Sequence, residues 1–298
     1  MSKLDIPHKP PVYLRLMGGL GNQLFQYAAG RSLADKLGVE LVLDDRYLVR
    51  KSNHTGFALD VFNIRARLMN TAERQLFSEG KIRLARWCKK IVRPWGEVFW
   101  ETQFNFDPAL NTLQAGHLLI GFWQTEDYIH NKHQVRLDLK LKAPLGSPAE
   151  KMCTVINTVE SVALHVRRGD YLNDKKTIKR YGICNQSYYQ SAIGLILERK
   201  PMAQFFVFSD DPDWVKAHLR LPPQCTFVSA PHITAEEDLV LMSQCKHQII
   251  ANSTFSWWAG WLNSNCDKIV TCPTPWFDDT IMAAQDLLPD SWHQIPKD

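Results

Sequence analysis

The chain has 298 residues, 45% of them hydrophobic and 22% charged, the proportions of an ordinary soluble globular protein, which exclude disordered, collagen-like and low-complexity classes. Lys and Arg number 35 against 31 Asp and Glu; the resulting net charge of +4 suits a small anionic ligand and is too weak to argue for nucleic acid. Seven cysteines, an odd number without a C-x-x-C pair, exclude a disulfide framework and a structural zinc site and predict buried thiols in a reducing compartment.

Residues 1–11 are polar and proline-bearing and read as a tail. They hold no apolar signal core, and no run of about 18 apolar residues occurs anywhere, so a cytoplasmic protein without a spanning helix is expected. Val12–Met17 is a strand-like run ending at Gly18-Gly19-Leu20-Gly21. Asn22–Leu37 has helical spacing, with Leu24, Ala28, Leu33 and Leu37 near one face. Glu40–Leu43 reads as a second strand, followed by Asp44. Thr71–Val92 reads as one long helix. Within and just beyond it, residues 81–95 carry Lys and Arg but no acid, with Leu84, Trp87, Cys88, Ile91 and Trp95 at helical spacing. That pattern predicts peripheral contact with an anionic inner membrane; the plain alternative is a helix packed on its own domain. Val98–Trp100 and His117–Phe122 are further strands, and Ala143–Pro148 is a linker. The predicted division is a tail at 1–11, a first domain at 12–145 and a second at 146–298.

The second half alternates. Val162–Val166, Phe205–Phe208, Cys225–Val228, Gln248–Ala251 and Lys268–Thr271 are β-rich runs with helical segments between most of them. Asn185–Arg199 is one such helix. Asp211 before Pro212 is an N-cap followed by proline at the first helical position, and Thr234–Glu237 is a capping box. Alternating strands and helices imply an α/β fold with parallel sheets.

In such sheets ligands bind beyond the carboxyl ends of the strands. There stand His165 with Arg167-Arg168-Gly169-Asp170, then Ser209-Asp210-Asp211, then Asn252-Ser253-Thr254-Phe255-Ser256. Paired guanidiniums fork onto phosphate oxygens, and a hydroxyl-rich helix start seats an anion. A carboxylate can accept from the N–H edge of guanine, and an imidazole nitrogen can do similar work. Together they describe a pocket for a nucleotide diphosphate. Each piece also has a plain structural reading: a solvated arginine pair, a helix cap that needs one aspartate and leaves the other free, a satisfied core histidine, and Trp257, Trp258 and Trp261 as core. The glycine turn at 18–21 lacks both the P-loop ending and the third glycine of a dinucleotide fingerprint. Asp44 could still serve as a ribose-binding acid, which keeps a nicotinamide-dependent oxidoreductase as an alternative.

Four segments, Gly18-Gly-Leu-Gly-Asn-Gln-Leu-Phe-Gln-Tyr27, His165-Val-Arg-Arg-Gly-Asp-Tyr171, Phe208-Ser-Asp-Asp211 and Asn252-Ser-Thr-Phe-Ser-Trp-Trp258, resemble in this order the bacterial α-1,2-fucosyltransferases of glycosyltransferase family 11. Gly121-Phe-Trp-Gln-Thr-Glu126 looks like a further motif of that family. The resemblance implies a GT-B architecture, two Rossmann-like domains facing a cleft. It implies inverting transfer of fucose from GDP-β-L-fucose to a galactose-terminated oligosaccharide or lipid-linked glycan, as in O-antigen synthesis, without metal or other cofactor.

By match, Arg167 and Arg168 sit on the donor phosphates, His165 and Asp211 on the guanine side, and Thr254, Phe255 and Ser256 on the diphosphate, with Asp210 and Ser253 also counted as donor-binding. Gly19, Gly21, Asn22 and Gln23 form the loop that reaches toward pyrophosphate and sugar, Asn22 being placed with the catalytic group. Gln124, Glu126 and Asp127 fall on the acceptor side. Asp170 is the first candidate for general base, with Glu126 and Asp127 next. Two arginines and a helix N-terminus can stabilise charge on departing GDP without Mg²⁺, and Asp211-Pro212-Asp213, nominally a D-x-D pattern, is better explained by capping. The remaining alternatives are another linkage or GDP-sugar, and a non-catalytic nucleotide- or glycan-binding protein.

Overall fold

The computed structural model describes residues 9–50, 56–88, 98–169, 175–279 and 285–297. The chain divides into two compact units, residues 1–142 and 143–298.

The first unit runs β1 (Val12–Arg15), α1 (Leu20–Leu37), β2 (Leu41–Asp44), α2 (Arg46–Arg50), β3 (Arg67–Leu68), α3 (Thr71–Leu76), α4 (Glu79–Cys88), β4 (Val98–Trp100), β5 (Leu118–Ile120) and α5 (Lys132–Asp138). Its strands pair in parallel in the order β3-β2-β1-β5-β4. β1 and β2 are buried at every position, as expected of central parallel strands covered on both faces.

Burial of α1 is not confined to one apolar face, as the spacing predicts, but extends almost all round from Leu20 to Ala34. Its buried polar side chains are therefore wired internally. Gln26 accepts from the Met17 amide at 2.9 Å and donates to the Gly121 carbonyl at 3.1 Å. Tyr27 donates to Asp138 at 2.8 Å, and Arg31 donates to the same carboxylate at 3.2 Å.

The expected helix over Thr71–Val92 breaks at Phe77. That side chain turns into the core against Tyr13, ring centroids 4.7 Å apart, and α4 starts afresh at Glu79. The proposed membrane face of residues 81–95 lies outside the described side chains apart from its first three residues, of which Ile82 is buried. Among the described residues no helix is long and apolar enough to cross a membrane.

The second unit runs α6 (Ser147–Thr158), β6 (Ser161–Val166), α7 (Lys175–Tyr181), α8 (Gln186–Arg199), β7 (Gln204–Ser209), α9 (Pro212–His218), β8 (Cys225–Phe227), α10 (Ala235–Gln244), β9 (His247–Ile249), α11 (Thr254–Leu262), β10 (Val270–Thr274) and β11 (His293–Pro296). The parallel order is β11-β10-β9-β6-β7-β8, with fully buried β6 at the centre. Val162, Leu164 and Val166 of β6 pack with Phe205, Val207, Ile196 and Ile249. Trp257 and Trp258 are fully enclosed and Trp261 nearly so, which makes the tryptophan cluster core. The capping residues expected at Asp211 and Thr234 each accept the predicted backbone N–H, and Asn185, at the start of its helix, caps α8 in the same way.

Glu160, just ahead of β6, anchors the base of this sheet. It accepts from His247 Nε2 at 2.8 Å and Lys246 at 3.0 Å, and pairs with Lys200 at 3.1 Å. His247 Nδ1 accepts the Ile269 amide, which leaves its proton on Nε2. The His247 hydrogen bond foremost, then the two lysines, hold the Glu160 carboxyl down at about 2 against a usual 4.5. Because the folded value is the lower, this stabilisation is complete above pH 4.5 and fades as pH falls toward 2. Glu160→Gln is expected to cost about 1–2 kcal/mol at pH 7, discounted for the partial exposure of the carboxylate, and to flatten stability between pH 5 and 2 in urea unfolding.

Candidate functional site

Register places the first half of the site. β6 and β7 pair with Val166 opposite Ser209, so the residues after each strand are neighbours. Asp210 uses this proximity: its two oxygens accept the Arg168 and Gly169 amides at 2.9 and 3.0 Å, and one lies 3.2 Å from Arg167 Nε. Asp211 caps α9 by accepting the Trp214 amide at 3.1 Å, and its other oxygen lies 3.7 Å from Arg168 Nε. The Arg168 guanidinium stacks over the Trp214 ring, 3.8 Å from its centroid.

The expectation that one aspartate stays free for a ligand is thus corrected, since both carboxylates hold the arginine loop. Asp213 points outward and pairs with Lys216, so Asp211-Pro212-Asp213 is a cap followed by a surface residue. Asp210→Asn replaces one acceptor with a donor facing an N–H. It is expected to speed hydrogen exchange at the Arg168 and Gly169 amides about 10-fold, with little change in melting temperature.

His165, the penultimate residue of β6, is almost completely buried, its ring 5.7 Å from that of Phe255. Burial first, and the nearby Arg167 charge second, push its pKa down to about 3, so the imidazole is neutral. Its Nδ1 is buried without a hydrogen-bond partner among the described residues. The Phe255 contact brings the start of α11 to the end of β6. There Ser253 is the N-cap, but its hydroxyl makes no capping bond, while Thr254 and Phe255 are half-buried.

Ser256 departs from expectation. Its hydroxyl is fully enclosed and donates to the Ala251 and Ser253 carbonyls, so it does not serve as a ligand group. Asn252 braces this turn from below, donating to the Tyr181 carbonyl at 2.7 Å and sharing the Trp276 carbonyl with Lys297. The Lys297 ammonium is itself buried, donates to Tyr181 at 2.7 Å and pairs with Asp278 at 2.6 Å. Two guanidiniums, a helix start without a side-chain cap and a neutral imidazole therefore share one sheet edge, an arrangement that favours an anion. Asp170, the first candidate for general base, lies outside the described residues.

The first unit gathers a second group at the carboxyl ends of β1 and β5. Gly18 has φ +76°, and a Cβ there would overlap the Asn22 amide, so both conformation and space demand glycine. Gly19 is the side-chain-free N-cap of α1, and Gly21 lies in its first turn. Asn22 Oδ1 accepts from Gln124 at 2.9 Å, which joins the two motifs.

Gln23, expected on the donor, is instead spent within the protein. Wholly buried, it donates to the Gly18 and Gly56 carbonyls and accepts the Ala58 amide. Glu126 binds Lys132 at 2.7 Å, and Asp127 is exposed. Between Gly121 and Gln124, Trp123 adopts φ +58°, a left-handed conformation costing a bulky residue about 1–2 kcal/mol. Two residues missed by the sequence reading support these groups: Trp214, legible as the residue three past the Asp211 cap, and Glu101, which has no local signal.

Residues 12–296 match the family model described as glycosyl transferase family 11. The chain belongs to this family. Over 293 residues a family 11 comparison gives 34% identity to the alpha-1,2-colitosyltransferase of Escherichia coli, covering 96% of this chain and 99% of that protein. The O-antigen biosynthesis glycosyltransferase WbnK of Escherichia coli is also 34% identical, with coverages of 94% and 99%. Galactoside alpha-(1,2)-fucosyltransferase 1 of Ateles belzebuth is 24% identical, covering 92% of this chain and 68% of that one.

In fold the chain is similar to a FUT1 variant from Arabidopsis thaliana in complex with GDP, with TM-score 0.51, 12% identity and coverages of 90% and 72%. The two parallel-sheet α/β units of this family 11 protein are of the GT-B class. Family 11 membership displaces the oxidoreductase alternative, and the geometry agrees. Asp44 is fully buried and takes hydrogen bonds from Arg15 at 2.8 Å and Arg46 at 2.7 Å, which leaves it no ribose to bind.

Proposed function

We propose that this glycosyltransferase moves L-fucose from GDP-β-L-fucose to the 2-hydroxyl of a terminal galactose, inverting the anomeric carbon, without a metal, in the synthesis of O-antigen or a similar surface glycan. The observation that carries the reading is the meeting of Arg167, Arg168, His165 and the start of α11 at one sheet edge. As the bond to the sugar breaks, negative charge moves onto the β-phosphate of GDP. Arg167, Arg168 and the α11 N–H groups stabilise that charge as it develops, which lowers the barrier without Lewis-acid help. Neutral His165 offers its buried nitrogen to the guanine edge. Asn22 and Gln124 orient the galactoside, and Asp170 takes the proton of its 2-hydroxyl, with Glu126 and Asp127 as the next choices.

The 34% identity to a colitosyltransferase favours a second reading in which the donor is GDP-colitose, whose sugar is fucose without its 3-hydroxyl. Incubation of the chain with either donor and with Gal-β-1,3-GalNAc or lactose, in the presence of EDTA, tests both readings. Released GDP together with an α-1,2 linkage in the NMR spectrum of the product is the expected result with GDP-fucose. Turnover with GDP-colitose alone selects the second reading, and turnover with neither donor or only after adding Mg²⁺ overturns the proposal as stated.

A further inference from the structure

Resting on the acceptor-side reading of residues 121–127, we infer that Glu101 is a positioning residue whose carboxylate clamps the loop after β5 and thereby sets Gln124 against Asn22. Glu101 directly follows β4, beside the end of β5. Its two oxygens accept the Phe122 amide at 2.7 Å and the Trp123 amide at 2.9 Å. From α1, Gln26 holds the Gly121 carbonyl at 3.1 Å, so the loop is gripped on both sides of its bend. A Cβ at Gly121 would run into the Glu101 Cβ, so the close approach of the two chains requires glycine.

What this grip holds is the left-handed Trp123. That residue is fully buried, stacked on Phe99 with centroids 6.0 Å apart and edge-on to Tyr128 at 5.5 Å. Bulky residues leave this conformation unless their surroundings impose it. The residue after Trp123 is Gln124, whose amide reaches Asn22. Releasing the Trp123 turn would swing Gln124 away from Asn22, so Glu101 acts on the acceptor site through the backbone.

The clamp needs both carboxylate oxygens as acceptors. Burial raises the Glu101 pKa to about 7, opposed only by these two amides; no charged side chain on β4, β5 or the loop is among the groups that shift it. Protonation puts an O–H where an N–H points, so the grip loosens as pH falls below 7.

The experiment has two arms on the full chain. In the kinetic arm, Glu101→Gln, which offers only one acceptor oxygen, is expected to raise the acceptor KM about 10-fold to 100-fold while the GDP-fucose KM stays within about twofold. Glu101→Asp, which keeps the charge on a shorter stem, should fall between. In the exchange arm, protection of the Phe122 and Trp123 amides, corrected for intrinsic rates, should drop between pH 8 and pH 6 in the native chain and be low at both values in Glu101→Gln. An unchanged acceptor KM, a joint rise of both KM values, or protection indifferent to pH overturns the clamp. If Glu101→Gln does not fold, as judged by GDP binding in calorimetry, the exchange arm on the native chain decides. If the native chain transfers no sugar, the proposed function fails while the exchange arm still tests the clamp.

Discussion

Arg167→Ala is expected to lower kcat by about 10²- to 10³-fold at saturating GDP-fucose, the scale of losing one preorganised donor to developing negative charge. The two arginines are held differently. Arg168 is fastened between the Trp214 ring and Asp211, with its side chain mostly enclosed. Arg167 is about one-third exposed and reaches Asp210 through Nε at 3.2 Å. If Arg167 acts mainly on charge that appears during bond breaking, its removal should depress kcat more than it weakens binding of the donor. Stopped-flow or steady-state turnover, with calorimetry of GDP alongside, separates the two effects. A variant with near-native kcat would remove Arg167 from the leaving-group role.

Trp257→Ala is expected to destabilise the fold by about 3–5 kcal/mol, the usual cost of emptying a large aromatic site. The ring is wholly buried and sits against Trp258, Trp261 and Trp292 at centroid distances of 5.2, 6.3 and 5.6 Å. Its indole N–H donates to the Leu287 carbonyl at 2.8 Å, so truncation also strands a buried acceptor. Trp257 lies one turn into α11, the helix whose start forms part of the anion seat, so loss of stability and loss of GDP affinity should appear together. Chemical denaturation gives the first and calorimetry the second; a Trp257→Phe variant should recover part of both.

Local patterns were readable from the residues themselves. The apolar runs of the second unit are all strands, and Asn185, Asp211 and Thr234 cap their helices, because these features depend on residues no more than a few positions apart. The strand-end rule also gathered loops that the fold brings together, since Val166 lies opposite Ser209 and the His165 ring meets that of Phe255. What escaped the sequence was the destination of each polar group. Asp210 looked free because the amides it accepts belong to residues 41 and 42 positions earlier in the chain. Gln23 looked like a ligand group because its partners Gly56 and Ala58 are more than 30 residues away. Ser256 was the avoidable miss, since a serine in the first helical turn commonly bonds back to a carbonyl three or four residues behind it. β3 and β11 are short, partly exposed edge strands with almost no apolar signature, and Phe77 breaks a helix through tertiary packing that no local rule records.

The buried Lys297 ammonium has a consequence for how the protein is made. Its partner carbonyl at Tyr181 lies 116 residues upstream, and the same carbonyl braces Asn252 beneath the α11 turn. While the polypeptide is being extruded from the ribosome, Tyr181 and Asn252 are exposed long before this cation is synthesised. Final consolidation of the second unit must therefore wait until Lys297 has left the ribosome, whereas the first unit is free to fold co-translationally.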